Sequence, residues 1–223
     1  AVAEGRAGVQ DEGSQLVAVA LAVAPLSGQD STWLDLCAGP GGKSALLAAL
    51  AAQRGAGLVA GERQHHRARL VARSLAGADG VLGVVTADGT APPWRPATFD
   101  RVLVDAPCTG LGALRRRPEA RWRRKPEDLL GLVLLQRALL TSALDLVRAD
   151  GLVLYATCSP LLSETAEVVA SLLEQRADVE LVDLAPQFAH VPDCVGPLPG
   201  TVQLWPHRHG TDAMFLALLR RTA

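Results

Sequence analysis

The sequence predicts an α/β fold with a Rossmann-like, mostly parallel sheet of seven strands and helices on both faces. Three observations predict this fold. Short apolar runs alternate with helical patterns along the chain, which is typical of βα units. A glycine-rich turn follows the first of these runs, and acids or cysteines follow several of the others. The 223 residues, 49% of them hydrophobic, are enough to bury the core of one such domain.

Each element is predicted from its pattern, in chain order. A helix over residues 12–23 begins after Asp11, a candidate N-cap, and residues 1–30 form a helical extension that packs on a catalytic domain of residues 31–223. Parallel strands are predicted over residues 32–36, 57–61, 81–86, 101–105 and 151–156, with helices over 43–53, 64–75 and 127–147 between them. A helix over 163–176, a strand over 179–184, a long surface loop over 186–210 and a closing antiparallel strand over 213–219 complete the domain.

The composition narrows the classes of protein. No uninterrupted apolar run reaches about 18 residues, and the N-terminus lacks the charged-then-apolar pattern of a signal peptide, so we expect no contact with a membrane. The four cysteines are far apart in sequence and form no CxxC pair, which argues against a zinc site and against a disulfide framework. We therefore expect no bound metal, free thiols in a cytoplasmic setting, and a monomer.

A tight glycine turn joins the first strand to the helix that follows it. A Walker A loop needs glycine six positions before its lysine, where Cys37 stands, and a dinucleotide fingerprint needs a GxGxxG spacing that this turn does not supply. The remaining interpretation is a methyltransferase loop, in which glycines let the backbone approach the amino-acid part of S-adenosylmethionine because they have no Cβ. The loop residues are Cys37, Ala38, Gly39, Pro40, Gly41, Gly42 and Lys43.

Acidic residues follow the next two strands. Glu62 is placed to accept hydrogen bonds from both ribose hydroxyls of the cofactor, and Asp88 is placed to meet its adenine amino group. A single acid at a strand end is usually a solvated turn residue. A series of such acids behind a glycine loop favours a cofactor site instead.

Two cysteines follow the fourth and fifth predicted strands. Cys108 belongs to an Asp-Ala-Pro-Cys-Thr-Gly motif that begins at Asp105, and Cys158 belongs to a Thr-Cys-Ser motif. Both are small hydrophobic core residues in the alternative interpretation. A thiolate at this edge of the sheet suits methylation at C5 of cytosine, because its addition to C6 makes C5 nucleophilic enough to attack a methyl sulfonium. A free thiol, with a pKa of about 8.5, needs help to ionise.

A basic segment follows Cys108. Residues 115–125 contain seven basic side chains and one acid, so a segment of net charge +6 stands on a remainder of net charge −7. Such polarity suggests local contact with a polyanion. We expect RNA phosphates to bind its arginines and a base or sugar to stack on its tryptophan, with a solvated loop as the alternative. The candidate RNA-binding residues in this segment are Arg115, Arg116, Arg117, Arg121 and Trp122.

Together these motifs resemble those of the Sun/Fmu group of bacterial ribosomal RNA cytosine-C5 methyltransferases, within a wider family that includes nucleolar proteins of eukaryotes. The resemblance covers nearly the whole chain, from Gln-Asp-Glu-Gly-Ser-Gln at residues 10–15 through the glycine loop and both cysteine motifs. Arg-Arg-Pro-Glu at 116–119 and Arg-Trp at 121–122 also look familial. The combination is far more specific than any one motif, and it implies the class I fold of S-adenosylmethionine-dependent methyltransferases.

The resemblance also implies roles that spacing does not show. It implies that Cys158 attacks C6 and that Cys108 assists turnover and product release, whereas DNA cytosine methyltransferases use a Pro-Cys cysteine like Cys108 as the nucleophile. It implies that Asp105 contacts the cytosine or the methionine end of the cofactor, with Lys43 beside it. A substrate role for His207, in the late loop, follows from the same resemblance.

The function implied by the resemblance is formation of 5-methylcytosine in RNA, with 16S ribosomal RNA as the first candidate. Two alternatives stay open: methylation of another substrate such as tRNA or a small molecule, and a non-catalytic RNA-binding module that keeps the fold. The chain departs from the usual family pattern at Gly39, at Glu62 and at residues 213–214, the last of which affects the closing strand. Since the chain starts with alanine rather than methionine, an RNA-binding domain upstream of it is also an open expectation.

Overall fold

The computed structural model describes residues 8–223, and this part of the chain forms an eight-stranded sheet with helices on both faces. The first seven residues of the expected N-terminal extension lie outside the described residues. The strands are β1 (Thr32–Asp35), β2 (Gly57–Glu62), β3 (Val81–Thr86), β4 (Phe99–Asp105), β5 (Val147–Thr157), β6 (Val179–Val182), β7 (Val202–Gln203) and β8 (Phe215–Arg221). The helices are α1 (Glu12–Val23), α2 (Gly42–Ala52), α3 (His65–Ser74), α4 (Ala120–Arg123), α5 (Asp128–Leu146), α6 (Ala166–Gln175) and α7 (Pro206–His209).

The strand order fixes where a ligand can bind. The sheet runs β3-β2-β1-β4-β5-β8-β6, and the short β7 pairs with β8. Strands β1 to β5 pair in parallel, while β8 lies antiparallel between β5 and β6. The order of the strands reverses between β1 and β4. Open α/β sheets bind their ligands beyond the carboxyl ends of the strands at such a reversal, so the loops after these strands form the expected site.

The predicted fold class is confirmed, but several details of the prediction are wrong. Strand β5 begins at Val147 rather than at residue 151, α6 begins at Ala166 rather than at residue 163, and α4 is not predicted. The sheet has an eighth strand, because the stretch 186–210 is not only a surface loop: it contains β7, α7 and the buried residues Val202 and Leu204. A strand of two residues gives no alternating pattern to detect. The closing strand begins at Phe215 rather than at residue 213. Asp11 precedes α1, but its carboxylate makes no capping hydrogen bond.

Two apolar layers hold the helices on the sheet. Helices α1, α2 and α3 cover one face, where Val17, Leu47 and Val71 are completely buried in one core cluster. Helices α5 and α6 cover the other face through a second cluster that includes Leu140 and Val169. Both faces of the parallel strands are therefore covered, as the continuous apolar runs of those strands require.

Arg101, in β4, joins α1 to the sheet from a fully buried position. Its guanidinium group forms two hydrogen bonds with the Asp30 carboxylate, at 2.9 and 2.7 Å, and donates to the carbonyl oxygens of Leu21 and Ala24 at 2.6 and 2.8 Å. These carbonyls lie at the C-terminal end of α1, where helix carbonyls lack partners within the helix. The guanidinium also lies over the Trp33 ring, 5.2 Å from its centroid.

Helix α5 is long and apolar enough to cross a membrane by length and composition. Its sequence is not one uninterrupted apolar run, because Gln136 and Arg137 stand in its middle. In the structure α5 packs on β4 and β5, and its Leu139, Leu140 and Leu144 are buried in the second core cluster.

Candidate active site

Side chains from several strand ends meet at the carboxyl edge of the sheet. Strand β1 leads into the glycine loop, β2 ends at Glu62, β4 ends at Asp105, and β5 leads into Cys158. Asp105 and Ala156 are register partners in the parallel β4–β5 pair. The two loops that carry Cys108 and Cys158 therefore start side by side.

The glycine loop has the shape needed for close approach of a ligand to the backbone. Gly41 has a φ of +114°, which residues with a side chain rarely adopt, and α2 begins at the next residue, Gly42. A Cβ on Gly39 would collide with the Glu62 carboxylate. The N-terminus of α2 presents free N–H groups that suit a carboxylate. These features fit the amino-acid end of S-adenosylmethionine, with Cys37, Ala38, Pro40 and Lys43 completing the turn.

The two acids predicted to bind the cofactor differ in their surroundings. Glu62 is buried, and it accepts a hydrogen bond of 3.1 Å from the backbone N–H of Gly39. Asp88 is more exposed, and it accepts hydrogen bonds from the backbone N–H and hydroxyl of Thr90 at 2.9 and 2.7 Å. These bonds, together with the nearby charge of Arg63, hold the pKa of Asp88 below its usual value. Both carboxylates follow strands at the same edge as the glycine loop.

Asp35, at the end of β1, is a buried acid that the sequence did not single out. It is 1% exposed and accepts hydrogen bonds from the Ser44 hydroxyl at 2.7 Å and from the Cys37 N–H at 3.3 Å. Burial raises the pKa of Asp35 to about 7, because the hydrogen bond from Ser44 compensates only in part and Asp105 adds like charge. Burial also raises the pKa of the Cys37 thiol, so this cysteine stays neutral at the site.

Lys43 and Asp105 form an ion pair between the glycine loop and the end of β4. The Lys43 ammonium donates to Asp105 Oδ2 at 2.8 Å, with 13% and 26% of the two side chains exposed. Burial alone would lower the pKa of Lys43, but the charge of Asp105 and the hydrogen bond outweigh it, and the pKa is raised. A permanent positive charge is therefore fixed next to the cysteine loops.

The thiols of Cys108 and Cys158 are in contact. Their Sγ atoms are 3.5 Å apart, a distance at which one thiol donates to the other. The hydrogen bond from Cys108 lowers the pKa of Cys158, against the effect of burial and with help from Lys43. The same contact and burial raise the pKa of Cys108 well above its usual value. The arrangement favours a Cys158 thiolate that accepts a hydrogen bond from a neutral Cys108 thiol.

The exposed fractions of the two side chains agree with a neutral Cys108 and a Cys158 thiolate. Cys108 is 7% exposed, whereas Cys158 is intermediate in exposure. All four cysteines are free thiols. Between residues 8 and 223, the structure contains no group of three or more His, Cys, Asp or Glu that could hold a metal ion.

The basic segment divides into arginines with structural partners and arginines that face solvent. Arg115 pairs with Asp11 at 2.9 Å, and Arg116 pairs with Asp212 through both guanidinium nitrogens that face it. Both of these acids are 2% exposed, so the two arginines fasten the segment to buried carboxylates. The remaining predicted RNA-binding residues, Arg117, Arg121 and Trp122, are exposed, and 82% of Trp122 is accessible.

His207, in α7, is exposed at the rim of the late loop. Its ring is tilted against that of Trp205, with 5.9 Å between the ring centroids. The structure also brings two acids to the cysteine loops that the sequence did not indicate, Asp212 and Glu164. Glu164 lies only six residues after Cys158, but an acid at that place has the pattern of an ordinary charge at a helix start. Asp212 stands in a segment without periodicity.

Comparison with known proteins gives a consistent result. A family model described as 16S rRNA methyltransferase RsmB/F matches residues 20–220. A Mycobacterium tuberculosis protein that is named as a methyltransferase is 57% identical over 220 residues, which are 99% of this chain and 47% of that protein. The ribosomal RNA small subunit methyltransferase B of Pasteurella multocida is 35% identical over 225 residues, which are 98% of this chain and 48% of that protein.

Solved structures agree with this result. The crystal structure of PH0851 matches with a TM-score of 0.88 and 33% identity, over 98% of this chain and 48% of that one. NSun6 from Pyrococcus horikoshii, solved with SFG, matches with a TM-score of 0.79 and 25% identity, over 96% of this chain and 53% of that one. The chain thus spans about half the length of the relatives that it matches.

Proposed function

Because the chain belongs to the RsmB/F family of 16S rRNA methyltransferases, we propose that it transfers a methyl group from S-adenosylmethionine to C5 of a cytosine in RNA, with 16S ribosomal RNA as the substrate. The observation that carries this proposal is the contact of 3.5 Å between the Cys108 and Cys158 thiols at the carboxyl edge of the sheet. A methyltransferase that acts on oxygen or nitrogen does not need such a pair, because its acceptor atom carries its own lone pair.

The chain offers a place for each part of the cofactor. The glycine loop would hold the amino-acid end, Glu62 the ribose hydroxyls, and Asp88 the adenine amino group. When bound, S-adenosylmethionine supplies an electrophilic methyl group. Asp105 and Lys43 lie between the glycine loop and the cysteines, where they orient the groups that meet there.

Covalent catalysis by Cys158 provides the nucleophile at C5. The Cys158 thiolate forms a bond to C6 of the cytosine, and the electron pair released from the C5–C6 double bond makes C5 a nucleophile toward the methyl group. C5 would take the methyl group as the bond between that group and the cofactor sulfur breaks. A base such as water would then accept the C5 proton, and the electron pair of the C5–H bond would re-form the C5–C6 double bond as the S–C6 bond breaks and the Cys158 thiolate leaves. The positive charge of Lys43 favours this thiolate both before attack and after release.

Cys108 acts on the same thiolate. Its S–H donates to Cys158 Sγ, so it stabilises Cys158 as a thiolate before attack and again as the leaving group when the product is released. A residue that stabilises the leaving group accelerates the breakdown of the covalent intermediate. The assisting role that the family resemblance implies for Cys108 thus has a physical basis in this contact.

The basic segment offers a surface for the RNA. Arg117 and Arg121 face solvent beside the exposed ring of Trp122, and Trp205 and His207 stand on the late loop. Phosphate contacts would orient the strand, while the target cytosine has to leave its stack to reach Cys158. We infer a cytoplasmic location from this substrate.

The test compares variants of the two cysteines on 16S ribosomal RNA. We expect Cys158→Ala to abolish formation of 5-methylcytosine while binding of S-adenosylmethionine, measured by calorimetry, is retained. We expect Cys108→Ser to accumulate a protein–RNA adduct that survives a denaturing gel, because the shorter serine side chain withdraws the hydrogen bond to the leaving sulfur.

Cys194→Ala serves as the control, since this thiol is buried in the first core cluster and is not part of the site. Activity of Cys158→Ala, or absence of an adduct with Cys108→Ser, would contradict the covalent mechanism. Mass spectrometry of ribosomal and transfer RNA from cells with and without the protein separates the two RNA substrates.

A further inference from the structure

Glu164 is a completely buried carboxylate beneath the two cysteine loops. Oε1 accepts hydrogen bonds from the Thr109 backbone N–H at 2.8 Å and from Gln136 Nε2 at 3.0 Å. Oε2 accepts from the hydroxyl groups of Thr109 and Ser159 at 2.5 and 2.6 Å. Four donors on one buried carboxylate are matched to its ionised form, which only accepts hydrogen bonds.

Three of the four donors lie in the residues that follow the two cysteines, and the fourth lies in α5. Thr109 directly follows Cys108, and Ser159 directly follows Cys158. Gln136 comes from α5, and its amide nitrogen also donates to the carbonyl oxygen of Pro107 at 2.9 Å, on the other side of Cys108. The two cysteine loops are also connected by the bond from the Gly112 N–H to the Cys158 carbonyl oxygen and by the 3.4 Å contact between the Thr109 and Ser159 hydroxyl groups.

We propose that Glu164 is a positioning residue for the methyl transfer: its carboxylate holds the residues that follow both cysteines and so fixes the contact between the two thiols. The inference rests on the proposed function for its catalytic consequence. The geometry is independent of that function, because the thiol pair and the carboxylate are in place without substrate. Glu164 acts through the cysteines and touches neither cytosine nor cofactor in this scheme.

The charge of Glu164 adds an electrostatic effect to the geometric one. After the Cys158 hydrogen bond, burial and the Cys158 charge, the nearby Glu164 carboxylate further raises the pKa of Cys108. The largest influences on the pKa of Cys158 are instead the hydrogen bond from Cys108, burial, and the charges of Asp105 and Lys43. An ionised Glu164 therefore keeps the proton on Cys108 and leaves the negative charge to Cys158, which is the division of charge that attack on C6 requires.

The first experiment measures which thiol reacts with iodoacetamide, a small reagent that labels thiolates. The chain is labelled briefly at pH 8 without RNA or cofactor, and the label on the Cys108 and Cys158 peptides is quantified by mass spectrometry. We expect label on Cys158 in the natural protein. Glu164→Gln keeps the side-chain shape, and the rotatable hydroxyls of Thr109 and Ser159 can accept from its amide. We expect it to raise the ratio of Cys108 to Cys158 label about tenfold, as one pKa unit would.

Glu167→Gln is the matched control, because this exposed glutamate lies one helical turn further along, in α6. Glu164→Ala removes the four hydrogen bonds as well as the charge, so the proposal is overturned if both Glu164 variants are folded by circular dichroism and both have the natural labelling ratio. If Glu164→Gln does not fold, Ser159→Ala takes its place, since it removes the bond between the carboxylate and the Cys158 loop, together with the longer contacts of this hydroxyl with the Leu161 N–H and the Thr109 hydroxyl. We then expect the same change in ratio, smaller in size, and an unchanged ratio overturns the proposal.

The second experiment separates this inference from the proposed function. On RNA we expect Glu164→Gln to lower kcat about tenfold or more while KM for RNA stays within about twofold, because Glu164 does not touch RNA. A fall in kcat that is accompanied by a rise of the same factor in KM for RNA would contradict a positioning role. If the natural protein methylates no cytosine, the proposed function fails, and the labelling ratio still decides whether Glu164 sets the thiol pair.

Discussion

Asp35 shows how one buried acid links the site to the stability of the whole protein. Its usual pKa is 3.8 and its pKa in the folded chain is about 7. Between these values the folded protein keeps a proton that the unfolded chain has lost. The free energy of unfolding therefore falls as the pH rises from about 4 to about 7, and it levels off above that window.

We predict that Asp35→Asn flattens this part of the pH dependence. An asparagine keeps an oxygen for the Cys37 N–H and a nitrogen that the Ser44 hydroxyl can face, and it never carries a charge. Urea unfolding at pH 5 and pH 8 gives the measurement. The variant should gain stability relative to the natural protein on going from pH 5 to pH 8, whereas the exposed control Asp79→Asn should not.

The candidate site could be predicted from the sequence only where its residues stand in motifs. Both cysteines, Lys43 and Asp105 were found in this way, and the structure brings them to one edge. The help that Cys158 needs to ionise depends on a contact between residues 50 positions apart, and no pattern along the chain contains it. Glu164 was missed for the same reason, because its donors come from three separate loops and helices.

Among the elements, α1 is joined to β4 by one buried polar side chain in addition to its apolar contacts. Arg101 is 1% exposed, and it satisfies both the Asp30 carboxylate and the last carbonyl groups of α1. Removing one partner of a buried ion pair leaves the other charge without compensation. The fit of helix to sheet at this place therefore rests on electrostatics as much as on apolar contact.

We predict that Arg101→Met lowers the free energy of unfolding by about 2–4 kcal/mol, since methionine fills the space but leaves two buried carbonyls unpaired and leaves Asp30 with only the Trp33 indole N–H and the more distant Arg54. Arg220→Met is the control: its pair with Glu180 is half exposed, and its loss should cost about 1 kcal/mol or less. Urea denaturation of both variants provides the comparison. A similar decrease in the free energy of unfolding for the two variants would contradict a larger contribution of the buried pair.

The bounds of helices and strands with a clear hydrophobic periodicity are predicted to within a few residues, whereas the short elements are not predicted. The pattern over residues 81–86 gave the bounds of β3 as the structure has them, and that over 12–23 gave α1. By contrast, β7 and α7 are held by what they pack on rather than by their own sequences. β7 exists because its two residues pair with Phe215 and Leu216 of β8, and such pairing is not visible in a local window.

At the scale of the whole molecule, the charges are separated between one segment and the rest. Arg117, Arg121 and Arg123 are exposed, and within residues 8–223 none of them forms an ion pair with an acid. The acidic remainder disfavours contact with RNA elsewhere. Binding should therefore be local and strongly dependent on salt.

We predict that replacing these three arginines by glutamine weakens RNA binding and lowers the slope of log K against log salt by about 2, from roughly 0.7 for each lost contact with a single strand. The control replaces Arg54, Arg73 and Arg220, which stand at the opposite edge of the sheet, by glutamine. Titration at several salt concentrations gives both slopes. An equal decrease for the two sets would mean that only total charge matters.

The sequence predicts that the sheet is mostly parallel, but it does not predict the order of the strands. Parallel βα units follow from alternation and from the length of each crossover. The position of the last strand does not, because β8 pairs with β5 and β6 over separations that no local rule sets. Insertion of β8 also brings Ala213 against Gly112, whose own N–H donates to the Cys158 carbonyl, so the C-terminal strand completes the site.

This insertion sets an order of events during synthesis on the ribosome. Among residues 8–223, strand β6 pairs only with β8. Ala213, just before β8, donates to the carbonyl oxygen of Gly112, whose own N–H donates to the Cys158 carbonyl oxygen. The ribosome releases these residues after every other strand of the sheet. A nascent chain thus carries both thiols, from the synthesis of Cys158 until that of β8, without the segment that completes their surroundings, and the finished arrangement forms when β8 is inserted rather than growing gradually.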